Sequence, residues 1–201
     1  MRHLRYIVID IVIVIVIAPV PQRTNRSQNY IFRTSILIPL TRIEVLLNPE
    51  ILDIEGITGK FVPVFWSPVH FPNQPGTMGL LMDPEHPALK KFPTDFYSNW
   101  QWWDLCKNSK TIVLDSLSIG PIITVIDNFF KNRRLGNVFE AKVGQGKLIF
   151  SSADLHTGLG DRPVARQLKF SLLKYMGSDE FNPKPSLTPE KLLSLRSTAG
   201  H

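Results

Sequence analysis

The chain has 201 residues, 43% of them hydrophobic, and a formal net charge of +6. That length suits one domain with a substantial core, and that apolar fraction excludes wholesale disorder. The basic residues are scattered in pairs such as Arg2 and Arg5, Lys90 and Lys91, or Arg133 and Arg134, and no long basic helix appears, so no nucleic-acid partner is expected.

The first five residues are short and basic, and residues 6–18 are an almost unbroken Ile/Val run interrupted by Asp10 and closed by Pro19 and Pro21. Three readings stay open: a secretory signal, translated sequence extraneous to the domain, or a buried strand. A signal at 1–18 places the protein in the periplasm or outside the cell; otherwise it is cytoplasmic. The run is too short to span a bilayer, so no membrane partner is expected beyond such a signal. Residues 22–29 read as a loop, 30–40 as a strand, and 41–47 as an apolar stretch stopped by Asn48 and Pro49. Composition changes near Ile54, which divides the chain into an N-terminal arm at 1–53, a folded domain at 54–183 and a Pro- and Ser-rich tail at 184–201.

The most distinctive stretch follows, FVPVFWSPVHFPNQPGTMGLLMDPEHPALKKFPTDFYSNWQWWDL at 61–105, which holds all four tryptophans. It opens as a strand through Trp66 and breaks at Ser67 and Pro68. Pro72, Pro75, Pro84, Pro87 and Pro93 then remove backbone donors, so an ordered, irregular excursion is predicted. Two readings of its aromatic end compete. In one, Trp100 and Trp103 lie three apart on a buried face continued by Leu105, with Trp102 pointing elsewhere; spacing favours this reading. In the other, Trp66, Trp100, Trp102 and Trp103, with Asp95 or Asp104, line a groove for an oligosaccharide. Asp95 is placed either to cap the following helix or to accept sugar hydroxyls.

Beyond it, strands are predicted over 111–117 and 121–126, joined to the next strand by a link at 127–135. A β-hairpin is predicted around Gly144-Gln145-Gly146, between strands at 138–143 and 147–152. The clearest helix runs from 162 or 163 to 176, with Pro163 in its first turn, Val164, Leu168, Leu172 and Met176 on its apolar face, and Gly177 as its stop. A short helix is expected at 189–195.

Chemistry-bearing patterns are sparse. The single cysteine, Cys106, excludes an intramolecular disulfide, and it lies in WWDLCKNSK without the glycines of a nucleophile turn. His70, His86 and His156 show no helical metal-site spacing. Ser67 lacks a Gly-x-Ser-x-Gly context. No catalytic residue, metal ligand or cofactor is assigned.

The 61–105 block, then PIITVIDNFFKNRRLGNVFEAKVGQGKLIFSSADL, then RPVARQLKFSLLKYMGSDEF, together resemble the C-terminal region of bacterial, Bacteroidetes-type glycoside hydrolase family 2 proteins, the β-galactosidase-like enzymes. The resemblance runs from about residue 59 to 183. It implies a three-layer α/β, flavodoxin-like domain similar to class I glutamine amidotransferases but without their catalytic machinery, carried by a poorly determined N-terminal arm. Such enzymes work with two glutamates on a (β/α)8 barrel. Only about sixty residues precede the resembling region, against roughly 250 for a barrel, so none of this chain's glutamates takes those roles. The expected function is that of a non-catalytic accessory domain in carbohydrate degradation, whose partners are other domains or subunits of a glycosidase. A carbohydrate-binding module is the alternative, and a glycoside hydrolase acting alone follows from the family name only.

Overall fold

The computed structural model describes residues 44–47, 56–59, 70, 77–128, 130–144, 146–193 and 195. The runs 6–18 and 30–40, the strand expected up to Trp66, and Ser67 lie outside the described residues.

Eight strands form one sheet: β1 (Glu44–Leu47), β2 (Ile57–Thr58), β3 (Thr77–Met82), β4 (Lys110–Val113), β5 (Pro121–Asp127), β6 (Leu135–Val143), β7 (Gly146–Ser151) and β8 (Ser186–Leu187). The nine-residue β6 is the axis. On one side it pairs with β7 along 138–143 and with β4 at 135–136; on the other it pairs with β5 along 135–139 and with β8 at 142–143. β3 flanks β5, and β1 flanks β7. Where β4 and β7 meet on β6, a buried polar cluster closes the junction. The Thr111 and Ser152 hydroxyls both donate to Asn137 Oδ1, at 3.1 and 3.0 Å.

This sheet overturns the expected flavodoxin-like architecture. Among the described residues, only β1 with β7 and β6 with β8 pair in parallel; the β2–β4, β3–β5, β4–β6, β5–β6 and β6–β7 pairings are antiparallel. The physical reason is connection length. A parallel crossover needs about a dozen residues or more, and usually a helix, whereas β5 reaches β6 through residues 128–134 and β6 reaches β7 through 144–145. Gly144 has φ of 59°, the left-handed backbone that a tight hairpin requires. The glutamine-amidotransferase-like assignment falls with the parallel sheet.

Helices are few. α1 (Trp103–Lys107) and α3 (Pro189–Leu193) have five residues each, and α2 (Pro163–Met176) has fourteen. Two 3₁₀ turns, Pro87–Leu89 and Trp100–Trp102, are described beside them. α2 starts on Pro163, where a missing N–H costs nothing, and the Gly177 amide closes it on the Leu173 carbonyl. Its buried Leu168, Leu172 and Met176 join Leu80, Ile123, Val138 and Ile149 in the core on one face of the sheet. Ser171 fastens it to the first 3₁₀ turn, donating to the Ala88 carbonyl at 2.7 Å and accepting from the Lys91 amide at 3.1 Å.

The opposite face has its own core of Ile112, Leu114, Leu117, Ile119, Phe139 and Phe150, closed by Leu187 and Leu195 of the C-terminal segment. Phe139 and Phe150 are register partners, and their rings stack at 4.8 Å. The strand expected over 111–117 stops at Val113, because the chain turns there: Leu117 N–H bonds to the Leu114 carbonyl, and Asp115 accepts from the Arg134 amide.

Candidate functional site

The aromatic end of the 61–105 block reverses the expected assignment of its tryptophans. Trp102 is 1% exposed, its ring meets Phe92 edge-on at 5.0 Å, and its Nε1–H donates to Thr94 Oγ1 at 2.8 Å. Trp100 and Trp103 are 77% and 42% exposed, with ring centroids 5.6 Å apart and planes tilted by 41°. Buried Leu105 and Cys106 follow Trp102 at the i+3 and i+4 positions, and that stripe fixes the inner face. In the 3₁₀ turn, residues three apart eclipse, so Trp100 and Trp103 do lie together, but outside. Lys107 Nζ stands 5.1 Å from the Trp103 ring centroid. Phe96 and Tyr97 are exposed nearby in sequence, 5.3 Å apart, and Tyr97 bridges to the exposed Leu81 of β3.

The two candidate aspartates have different settings. Asp95 does not cap the turn itself; Asn99 does, accepting from the Gln101 amide at 3.0 Å, while Asp95 Oδ2 accepts from Asn99 Nδ2 at 2.9 Å. It remains exposed, tied to Asn99, the residue before Trp100. Asp104 is tied into a structural clamp: its Oδ2 accepts from Arg162 Nε at 2.8 Å and its Oδ1 from Asn108. The same guanidinium donates to Asp154 Oδ2 at 3.0 Å and to the Thr157 carbonyl, joining α1 to the start of α2. Burial pushes the Asp154 carboxyl up, but the Thr157 and His156 amides and then the Arg162 charge outweigh it and hold the group below the usual range. Trp66 lies outside the described residues, so the candidate groove comes down to Trp100, Trp103 and Asp95.

Cys106 and Asp127 are likewise committed. Cys106 is buried, and desolvation pushes its thiol up to about 12, far from a nucleophile's range. Asp127 grips Arg133 through two side-chain bonds of 2.8 and 3.0 Å. Burial raises the Asp127 carboxyl, and the bonds from Arg133 and the Asn128 amide more than reverse it. Among the described residues, no group of three His, Cys, Asp or Glu side chains is placed to hold a metal ion, and no helix is long and apolar enough to cross a membrane.

A second feature was not anticipated from the sequence. An open cleft of about 870 Å³ lies where β5 and β8 leave a gap along β6, and it gathers Asp83, His86, Glu140, Tyr175, Glu180 and Lys184. Tyr175 OH donates to Glu140 Oε2 at 2.8 Å, and burial followed by that bond pushes the phenol up, so it stays a donor. These residues come from four separate segments, and only His86, in EHPALKKFPTD, stood out in the sequence.

A family model for a domain of unknown function, DUF8487, matches residues 42–197. The chain belongs to that family. The matched span takes in the whole sheet, the tryptophan pair, the cleft and the C-terminal segment of the DUF8487 domain. No curated protein matches the chain.

Proposed function

We propose that the chain is a non-catalytic accessory domain of a glycoside hydrolase family 2, β-galactosidase-like protein, acting by contact with other domains or subunits. The observation that carries the non-catalytic reading is the commitment of the cysteine and of three aspartates; the groups of the cleft beside β6 stand outside it. Cys106 is an inert buried thiol, and Asp104, Asp127 and Asp154 each hold an arginine. Away from that cleft the domain presents apolar side chains: Phe96, Tyr97, Trp100 and Trp103 are all exposed, the composition of a contact surface. The glycosidase context rests on the sequence resemblance alone.

The test is a hydrolysis assay on the purified chain with aryl β-galactosides and aryl β-glucuronides. No turnover is expected, since the described strands form a mainly antiparallel sheet and not the barrel that carries a glycosidase's carboxylate pair. Turnover abolished by replacing one glutamate of this chain would overturn the reading.

Exposure of the tryptophan pair favours a second reading, a carbohydrate-binding module using Trp100 and Trp103 with the exposed Asp95, which is bonded to Asn99. Trp102 and Asp104 have no part in it, being buried and ion-paired respectively. Retention of the chain on a galactan column, lost in the Trp100→Ala and Trp103→Ala variants, would establish it.

A further inference from the structure

The floor of the cleft is β6 and the start of β5, and its rim comes from the turn at Asp83–His86 and the segment Glu180–Pro185 between α2 and β8. β5 begins at Pro121, opposite Phe139, and β8 begins at Ser186, opposite Lys142, with Pro185 just before it. Glu140 and Ala141 therefore face a gap between two strand starts. Proline has no N–H, so neither Pro121 nor Pro185 can carry the ladder across the gap. The Pro185 carbonyl accepts from the Lys142 amide at 2.8 Å and fixes the far edge.

The lining has an unusual mixture of charges. Three carboxylates, Asp83, Glu140 and Glu180, stand with the Lys184 ammonium and the Asn182 amide, and Glu180 Oε2 also lies 3.9 Å from Lys90 Nζ in an exposed ion pair. His86 Nδ1 accepts from the Ala88 amide at 3.2 Å, so in the neutral ring the proton sits on Nε2, a donor. Among the described residues, Glu140 Oε1, Asn182 and Lys184 make no side-chain hydrogen bond. An anionic ligand would meet three carboxylates, and a small cation would meet Lys184. A neutral ligand whose hydroxyl groups both donate and accept satisfies both sets at once. Met82, Pro121, Ile122 and Pro185 give apolar surface for the C–H faces of such a ligand, and a volume of about 870 Å³ is within the usual range for ligand sites.

We infer that this cleft is a binding site for a neutral short oligosaccharide, held by Glu140 and Glu180 as acceptors and Lys184 and Asn182 as donors. It is a different place from the Trp100–Trp103 surface, since neither ring lines it, and it does not rest on the non-catalytic reading.

The test is titration of the ¹⁵N-labelled full chain with lactose, cellobiose and xylobiose, with spermidine and inorganic phosphate as charged probes. A neutral disaccharide is expected to shift the amides of Gly120, Glu140 and Tyr175, and Lys184→Ala and Glu180→Gln are expected to weaken binding at least about tenfold, the loss of a charge-assisted hydrogen bond. Both changed side chains are exposed, so these variants keep the fold; Glu140→Gln is the third arm. Trp100→Ala should leave those shifts unchanged. Four outcomes would overturn the site: no shift with any disaccharide at about 10 mM, beyond millimolar affinity; a response to spermidine or phosphate only; undiminished binding in the Lys184 and Glu180 variants; or shifts abolished by Trp100→Ala.

Discussion

At the scale of single residues, the three neighbouring tryptophans make sharply different predictions. Trp102→Ala removes a buried indole packed on Phe92 and leaves Thr94 Oγ1 without its donor, so a loss of about 3–5 kcal/mol is expected from chemical denaturation. Trp100→Ala, at an exposed position, should stay within about 0.5 kcal/mol. Equal losses in the two variants would contradict the assigned inner face. Asp127 and Asp154 carry a pH prediction. Both have folded pKa values below the unfolded aspartate value of about 3.9. Their contribution to stability is therefore complete above that value and is lost as pH falls through the depressed folded values. Urea midpoints measured from pH 7 downwards should stay level on this account until about pH 4 and then drop, and Asp127→Asn should shrink the drop. A drop of the same size in the Asn variant would show that Asp127 is not its source.

At the scale of elements, the parts readable from sequence were those whose signals are local. Proline at the start and glycine at the end delimit α2, and a glycine with positive φ between two β-rich runs marks the β6–β7 hairpin. Which way Trp100 and Trp103 face was not local in that sense. Their three-residue spacing is the same whether the pair lies inside or outside, and only the Trp102, Leu105, Cys106 stripe decides between the two. The cleft was hidden for a further reason: it is an absence between strand ends, and its polar groups meet only once register is set. Register also explains Gly136, which pairs with β4 and β5 at once. A Cβ there would stand 2.7 Å from Pro121 Cβ and 2.8 Å from Leu114 Cδ1. Gly136→Ala should cost about 1–3 kcal/mol as overpacking, read as a lowered denaturation midpoint. An unchanged midpoint would mean that β4 and β5 do not close on β6 as described.

At the scale of the whole molecule, the sheet has a core on each face, and the two are closed by distant parts of the chain, α2 on one side and the segment carrying Leu187 and Leu195 on the other. The family match from residue 42 to 197 encloses every described strand and both cores. If the matched span folds as a unit, two N-terminal deletions should give different results. Removing residues 1–41 leaves every described pairing in place, so the remaining chain should melt cooperatively at the temperature of the full chain. Removing 1–50 also takes away β1, which pairs in parallel with β7 along Lys147–Phe150, and strips four residues of ladder from a strand whose other side is occupied by β6. The bared edge of β7 would then offer unpaired amides and carbonyls to other chains, so a lower melting temperature with concentration-dependent association is expected, measurable by scanning calorimetry and light scattering. If the 1–41 deletion cannot be recovered folded, the Ile/Val run at 6–18 is part of the sheet and the sheet's limits are wider than the family match. If both deletions melt alike, β1 contributes nothing to the fold, and its pairing with β7 is not a stabilising one.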